Sequence, residues 1–296
     1  MSDSGKHPSW STDSWRTAGG GNWLAQADRL EAMLEPVLDP LFEQAALRPG
    51  EQVLDIGCGR GATTYRAAHE VGRTGAVTAA DVSPDLLAEA QSVRSPGSGD
   101  ASIEWVVADA QRAALGESRF DAAISRFGVM FFDDPVAAFV NVRRAVRSGG
   151  RLAMVTWRPR NACDFHSVGW AAVNEALVEN GYDVADSNPG VGPFSLGVDE
   201  VVESVLGEAG WVDIEVEPLE LPLYFAGPNI PVDAAVDTAM GMTGMQTFLQ
   251  PYDDRARALA ADALREAYTT RHDGSGVRLD AAMLITTALN SGAAGD

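Results

Sequence analysis

Short apolar runs alternate with amphipathic segments through the first half of the chain. The first run, which includes Val53, Leu54 and Ile56, is rich in β-forming residues and is too short for a helix. In most of the intervening stretches the apolar residues recur at the three- to four-residue spacing of an amphipathic helix. The runs expected to form strands begin near residues 52, 76, 103, 120 and 151. This alternation predicts a doubly wound, parallel α/β sheet that binds ligands outside the carboxyl ends of its strands.

Sequence signals mark where two of the helices between these strands begin or end. Ser83-Pro84-Asp85 supplies a capping hydroxyl, a proline at the first helical position and an acid in the first turn. Asp133-Asp134-Pro135 is a similar helix start. Gly149 and Gly150 are expected to end the helix that follows Pro135, so that the fifth strand runs over 151–157.

The pattern changes on both sides of this core. Residues 22–46 have helical spacing that is interrupted by Pro36 and Pro40, which predicts two helices joined at a proline break. After residue 157 we expect helices at 166–180 and 199–210, a strand at 211–225, mostly helix over 227–276 and a final strand at 277–289.

The charge balance disfavours partners that carry negative charge. Lys and Arg number 22 against 42 Asp and Glu, so a net charge of −20 repels phosphate backbones and anionic lipid headgroups. We therefore expect neither a nucleic-acid nor a membrane partner. Cys58 and Cys163 provide no disulfide framework and no zinc-ligand spacing, and no metal site is predicted. The sequence lacks a signal-peptide core and an apolar run of roughly 20 residues, which predicts a cytoplasmic protein.

The glycine-rich turn after the first strand is the strongest chemical signal. Asp55 precedes Gly57, Gly59 and Gly61, which alternate with other residues. In the dinucleotide fingerprint, by contrast, the third glycine follows the second by three positions. The carboxylate of Asp55 would repel a pyrophosphate and attract an ammonium group. The turn therefore favours a ligand that lies against the main chain and carries a positive charge.

Two further acids follow the next two strands. Asp81 and Asp109, together with Asp55, stand at three successive strand ends. S-adenosylmethionine matches this set, because it offers an amino-acid ammonium group, a ribose diol and an adenine amino group. Any one of these acids alone is more often a solvated loop residue or a helix cap. Their combination with the glycine turn favours the ligand interpretation.

The chain resembles the class I S-adenosylmethionine-dependent methyltransferases, nearest to the ubiquinone/menaquinone C-methyltransferase-like group. The resemblance covers about residues 51–157 and rests on the blocks VLDIGCGRGATT, AADVSPDLL, VVADAQ, FDAAISRFGVMFFDDPVAAF and RRAVRSGGRLAMVTW. It implies a Rossmann-like, seven-stranded, mostly parallel sheet with an antiparallel last strand and a helical cap. The motifs are specific to the superfamily and do not identify a substrate.

The resemblance also implies which residues hold the cofactor, whose product would be S-adenosylhomocysteine. The methionyl part would lie on the glycine turn, the ribose and adenine at the second and third strand ends, and the inner wall after the fourth strand. The implied residues are Asp55, Gly57, Cys58, Gly59, Asp81, Val82, Asp109, Ala110, Ser125, Arg126 and Phe127.

The same resemblance implies a division of the chain into a core and a cap. The core would contain residues 50–157 and the strands at 211–225 and 277–296, the last of which includes the tail. The parts expected to cover the methyl group are the N-terminal arm and helices at 1–49, the segment at 158–210 and the insertion at 226–276.

The candidate acceptor-binding residues are apolar. Trp15, Trp23, Met130, Phe131 and Met242 are candidates to line an acceptor pocket, although core packing is the commoner role of such residues. Ser125-Arg126-Phe127-Gly128 stands where amino-directed nucleic-acid methyltransferases carry an Asp/Asn-Pro-Pro-Tyr type motif, which argues against base methylation.

His166 is the candidate catalytic residue, as a general base that removes a proton from an acceptor hydroxyl. The alternative is a histidine at a helix start with no chemical role. Methyl transfer needs no catalytic side chain when nucleophile, methyl carbon and sulfur are aligned.

We expect a methyltransferase for small, mostly apolar metabolites, acting at oxygen rather than at carbon or nitrogen, as a monomer or homodimer. One alternative keeps the cofactor but catalyses a cyclisation, an elimination or a rearrangement. The other is a non-catalytic partner subunit that binds the cofactor.

Overall fold

The computed structural model describes residues 15–16, 21, 23–184 and 192–292. These residues form a seven-stranded sheet in the order β3-β2-β1-β4-β5-β7-β6. The strands are β1 Gln52–Ile56, β2 Ala76–Asp81, β3 Ser102–Val107, β4 Phe120–Arg126, β5 Val146–Trp157, β6 Val212–Phe225 and β7 Val277–Leu289. Strands β1 to β5 pair in parallel, and β7 is antiparallel to both β5 and β6. The predicted fold class is confirmed.

Helices pack on both faces of the sheet and over its carboxyl end. Their bounds are α1 Ala27–Leu34, α2 Leu38–Ala45, α3 Ala62–Val71, α4 Pro84–Val93, α5 Pro135–Ala145, α6 Asp164–Glu179, α7 Asp199–Glu208, α8 Val232–Gly241, α9 Thr243–Leu249 and α10 Asp254–Thr269. The predicted helices over 166–180, 199–210 and 227–276 are confirmed. No helix within the described ranges is long and apolar enough to cross a bilayer.

The central strands are buried on both faces, which explains why β1 reads as a continuous apolar run. Val53, Leu54 and Ile56 are at most 2% exposed, and apolar side chains surround the strand on both sides of the sheet. By contrast, β6 is an edge strand and contains Pro218 and Pro222, which lack the N–H donor that a central strand needs.

The predicted helix-start residues cap their helices. The hydroxyl of Ser83 accepts a hydrogen bond from the backbone N–H of Leu86 at 3.3 Å. The carboxylate of Asp134 accepts one from the N–H of Ala137 at 3.0 Å. Both contacts satisfy backbone donors that a first helical turn leaves unpaired.

The predicted boundary between α5 and β5 is wrong. The helix ends at Ala145, and Gly149 and Gly150 lie within β5, which begins at Val146. A register shift in the pairing of β4 with β5 accompanies this extension. A Cβ on Gly150 would lie 2.5 Å from Val146 Cγ1 and 2.8 Å from the carbonyl of Asp121. The glycine therefore serves close strand packing rather than helix termination.

The N-terminal helices are joined at the predicted proline break. A 3₁₀ turn at Glu35–Val37 contains Pro36 and separates α1 from α2. Arg126 at the end of β4 fixes α1 to the sheet, because its guanidinium contacts the carboxylate of Glu31 at 3.0 Å and the carbonyl of Leu34 at 3.0 Å. The N-terminal region thereby covers the carboxyl end of the core.

Candidate active site

A cavity of about 770 Å³ lies at the carboxyl ends of the parallel strands, beneath α6, α9 and α10. One end is formed by the glycine turn and the loops after β2 and β3. The other end is formed by aromatic side chains that include Trp157, Phe165, Trp170, Phe194, Phe225 and Phe248. The volume is within the range of ligand pockets. The cavity therefore has a polar end and an apolar end.

The glycine turn lets backbone form the floor of the polar end. Gly57, Gly59 and Gly61 have φ values of +66°, +54° and +84°, in the left-handed region that favours glycine. A Cβ on Gly57 would lie 2.6 Å from Cα of Gly128, so the two main chains meet here without side chains. A Cβ on Gly59 would meet no atom within 4 Å, and Gly59 lines the cavity.

Cys58 lies in the same turn and also lines the cavity. Burial raises the pKa of its thiol, and the nearby carboxylates of Asp55 and Asp81 raise it further. The thiol therefore stays protonated, which suits a small packing residue rather than a nucleophile.

Asp55 lies behind the turn and does not itself line the cavity. Its Oδ2 accepts hydrogen bonds from the hydroxyls of Thr63 and Thr64, each at 2.6 Å, while Oδ1 has no partner among the described residues. Burial raises its pKa from 3.8 to about 6, although the two hydroxyls oppose the shift. The unpaired oxygen marks a buried position that a cationic ligand group would stabilise.

Asp81 lines the cavity and is fixed by the backbone. Its Oδ2 accepts a hydrogen bond from the N–H of Gly59 and its Oδ1 from the N–H of Ser83, both at 2.9 Å. Burial raises its pKa, and these backbone donors oppose the shift. The carboxylate can accept a further hydrogen bond from a ligand hydroxyl. Val82, the next residue, also lines the cavity.

Asp109 and Ala110 continue the polar end beyond β3. The Oδ1 of Asp109 accepts a hydrogen bond from the N–H of Gln111 at 3.0 Å, and Oδ2 lies 3.7 Å from the guanidinium of Arg112. Asp109 is only 8% exposed and lines the cavity beside Ala110. The acids of the second and third strand ends therefore face one space.

The segment after β4 joins the two ends of the cavity. Arg126 and Phe127 line it, and Phe127 has a φ of +63° and stacks on Trp157 with ring centroids 4.3 Å apart. Ser125 does not line the cavity. Its hydroxyl donates to the carbonyl of Ile56 at 2.8 Å and accepts from the N–H of Gly128 at 3.2 Å, so it holds the glycine turn against β4.

All five residues named for the acceptor line the cavity. Trp15 lies edge-on to Trp23 and Phe131, with ring centroids 5.8 and 5.0 Å apart respectively. Met130 is almost fully buried, and its sulfur accepts a hydrogen bond from the N–H of Trp157 at 3.3 Å. Met242 precedes α9 and reaches the same space. Trp15 and Trp23 of the N-terminal arm and Met242 thus meet at the apolar end.

His166, in the first turn of α6, lines the cavity among aromatic rings. It lies edge-on to Trp157, Phe165 and Phe194, with ring centroids 4.6, 5.1 and 5.0 Å away. Burial lowers its pKa from 6.5 to about 3, and the positive charge of Arg160 lowers it further. The imidazole is therefore neutral at physiological pH, and as a proton acceptor it is weaker than an ordinary histidine.

Several lining residues had no recognisable signal in the sequence. Tyr268 lies on the buried face of α10 at a helical spacing from Leu264, a pattern that predicts core packing. Phe194 lies in a turn and Arg160 begins a short 3₁₀ turn, and Arg160 stacks over Phe194 and Trp170. Only the tertiary fold brings these positions to the cavity.

Comparison with known proteins agrees with this architecture. The family described as "Methyltransferase domain" matches residues 53–150. Aklanonic acid methyltransferase DauC of Streptomyces sp. (strain C5) is 36% identical over 107 residues, covering 36% of this chain and 48% of that protein. The chain spans about half the length of the first curated relatives that it matches.

Two further likenesses extend beyond the domain. Nocamycin O-methyltransferase of Saccharothrix syringae is 28% identical over 249 residues, which cover 81% of this chain and 85% of that protein. Phosphoethanolamine N-methyltransferase 2 of Haemonchus contortus, solved with S-adenosylhomocysteine, shares the fold with a TM-score of 0.51 and 17% identity, covering 95% of this chain and 60% of that one. The methyltransferase domain family thus matches about a third of the chain, and the likeness to solved structures shows that the fold is shared.

Proposed function

We propose that this protein transfers the methyl group of S-adenosylmethionine to an oxygen atom of a small, mostly apolar metabolite. The observation that carries the proposal is the division of one cavity into an acidic, glycine-lined end and an aromatic end. The first end has the donors and acceptors for a nucleoside with an amino-acid tail. The second has the apolar lining of an acceptor chamber.

The residues of the polar end fit this cofactor. We assign the ribose diol to Asp81, the adenine amino group to Asp109 and the methionyl part to the turn at Gly57–Gly59. The unpaired Oδ1 of Asp55 supplies negative charge directly behind that turn. Val82, Ala110, Arg126 and Phe127 complete the walls, whereas Ser125 supports the turn from outside the cavity.

The cofactor would supply an electrophilic methyl group, and the side chains of this chain do the rest by positioning. Stacked rings of Phe127, Trp157 and Phe165 form a continuous wall from the polar to the apolar end, with centroids 4.3 and 5.2 Å apart. A rigid wall of this kind aligns an acceptor with the methyl group and excludes water from it. No side chain need form a covalent bond to the acceptor.

The choice of oxygen and of a specialised metabolite rests on sequence likeness. Nocamycin O-methyltransferase and aklanonic acid methyltransferase are both named for small metabolites. The resemblance to the ubiquinone/menaquinone C-methyltransferase-like group remains a prediction and does not identify the substrate. A net charge of −20 argues against nucleic-acid acceptors in either case.

We also assign the cap to the N-terminal helices, the segment at 158–210 and the insertion at 226–276. Trp15, Trp23 and Met242 from these parts line the apolar end together with Met130 and Phe131 of the core. Residues 185–191 of the segment lie outside the described residues. The strands at 211–225 and 277–289 belong to the core.

Transfer of a labelled methyl group tests this function. Purified protein is incubated with S-adenosylmethionine labelled in the methyl group and a panel of hydroxylated apolar metabolites, and the label is measured in the organic extract. We expect label in at least one O-methylated product. Conversion of an acceptor without label transfer would overturn the proposal and favour a cyclisation, an elimination or a rearrangement.

A further inference from the structure

Tyr268 brings a polar group into the apolar end of the cavity. The residue is 2% exposed and lines the cavity, and its hydroxyl has no hydrogen-bond partner among the described residues. A hydroxyl on the cavity wall without a protein partner is available to hydrogen-bond a bound molecule.

His166 is a second polar group without a partner on the same wall. Its Nε2 is buried and makes no hydrogen bond, and neither ring nitrogen bonds to another described side chain or carbonyl. The edge-on rings of Trp157, Phe165 and Phe194 hold the imidazole in place. A neutral imidazole offers one donor and one acceptor nitrogen.

The helix α6 brings the two groups close together. A Cβ built on Gly169 would lie 3.0 Å from the hydroxyl oxygen of Tyr268, and Gly169 follows His166 by three positions. Residues three apart on a helix share a face and are separated by about 5 Å along its axis. The absence of a side chain at Gly169 is what leaves room for the tyrosine hydroxyl.

Both groups stay neutral at physiological pH. Burial raises the pKa of Tyr268, and it lowers the pKa of His166 to about 3. A tyrosine hydroxyl in this state donates to a carbonyl oxygen, whereas a neutral imidazole nitrogen accepts from a hydroxyl. The two groups are therefore complementary to two different oxygens of one molecule.

We propose that Tyr268 and His166 are acceptor-binding residues, and that they select an uncharged apolar acceptor that carries a carbonyl group and a hydroxyl group about one helical turn apart. Tyr268 donates to the carbonyl and His166 accepts from the hydroxyl. This assignment rests on the proposed function, because it concerns the acceptor of the same transfer. It assigns no proton-transfer step to His166.

Binding of matched naphthalene probes tests the pair. The probes are 4-acetyl-1-naphthol, which carries both groups, 1-acetonaphthone, which carries the carbonyl, and 1-naphthol, which carries the hydroxyl. Dissociation constants are measured by calorimetry at mildly acidic pH, where the probes are uncharged, with S-adenosylhomocysteine present at saturation. We expect the first probe to bind about 5-fold or more tightly than either of the others.

Two variants then separate the two contacts. Tyr268→Phe should weaken the binding of both carbonyl-bearing probes by about 5-fold and leave the binding of 1-naphthol unchanged. His166→Leu should weaken the binding of both hydroxyl-bearing probes by a similar factor and leave the binding of 1-acetonaphthone unchanged. Tyr224→Phe is the matched control, because the Tyr224 hydroxyl bonds to Asp273 at 3.0 Å and lies outside the cavity. Tyr224→Phe should leave the binding of all three probes unchanged.

The proposal is overturned if either variant weakens all three probes equally, since that result indicates lost packing. It is also overturned if 4-hydroxy-1-naphthoate binds more tightly than 4-acetyl-1-naphthol, since the site would then select an anion. A separate titration with S-adenosylhomocysteine alone isolates the proposed function. Cofactor binding and label transfer without probe discrimination refute only the acceptor assignment, whereas no cofactor binding refutes the methyltransferase proposal.

Discussion

The two ends of the cavity are built in different ways. The polar end, which we propose as the cofactor end, consists of backbone and short acids at the ends of three neighbouring strands, and its carboxylates are fixed by hydrogen bonds of 2.6–3.0 Å. The apolar end, which we propose as the acceptor end, consists mainly of aromatic side chains, and there the side chains of His166 and Tyr268 have no hydrogen-bond partner among the described residues. Within the described part of the chain, the protein therefore fixes the carboxylates of one end and leaves only Asp55 Oδ1 without a partner, whereas the polar groups of the other end are held by packing alone.

The two ends also respond to pH in opposite directions. Burial raises the pKa of Asp55 to about 6 at the cofactor end and lowers that of His166 to about 3 at the acceptor end. Folding therefore favours the protonated acid in one place and the neutral imidazole in the other.

Replacing His166 removes the acid sensitivity of the acceptor end. Because its pKa is lowered from 6.5 to about 3, its contribution to stability is present above pH 6.5 and is lost as the pH falls towards 3. The shift corresponds to at most about 5 kcal/mol, which water in the cavity reduces. We expect His166→Leu to lose less free energy of unfolding than wild type between these pH values in urea titrations. An unchanged pH slope in His166→Leu would contradict the expectation.

Two glycines of the cofactor end differ in role, because Gly128 packs against the backbone and Gly59 borders the cavity. A Cβ on Gly128 would lie 2.5 Å from the carbonyl of Ile56, so Gly128→Ala should lower the free energy of unfolding by about 3 kcal/mol. Gly59→Ala should cost about 1 kcal/mol for its positive φ, yet weaken S-adenosylhomocysteine binding more than tenfold. Denaturation and calorimetry on both variants measure the contrast. Equal losses of stability would contradict it.

Replacing Asp55 removes a pH dependence of the opposite sign. Its raised pKa means that its contribution to stability is full below pH 3.8 and is lost as the pH rises through about 6. The shift corresponds to about 3 kcal/mol. We expect Asp55→Asn to lose less stability than wild type over this window in the absence of cofactor. Asp213→Asn on the surface should retain the wild-type slope, and a steeper slope in Asp55→Asn would exclude the assignment.

Removing one of the two threonine hydroxyls that bond to Asp55 should have the smallest effect on stability. Thr63→Val deletes a hydrogen bond of 2.6 Å to the carboxylate and should lower the free energy of unfolding by about 1 kcal/mol at neutral pH. The pKa of Asp55 should rise further, as carboxyl-region NMR titration can measure. Thr269→Val removes an exposed hydroxyl that bonds only to the carbonyl of Arg265, and it should change neither quantity.

The same difference explains what the sequence predicted. The strand ends that carry Asp81 and Asp109 were recognisable because each lies next to a short apolar run, and parallel strands bring their carboxyl ends together. Tyr268 was not recognisable, because a tyrosine on the apolar face of α10 has the same spacing whether it fills a core or lines a chamber. Ser125 stands at the expected strand end, yet its hydroxyl points back to β1, which no local pattern encodes.

Titration with S-adenosylhomocysteine tests the central claim most directly. Wild type should bind one equivalent in calorimetry, and Asp81→Ala should weaken binding by at least about tenfold, because a charged hydrogen-bonding group and the anchor of Gly59 are both lost. Tyr268→Phe should bind the compound as wild type does. Unchanged affinity in Asp81→Ala, or no binding by wild type, would contradict the placement of the cofactor at the carboxyl ends of β1 to β3.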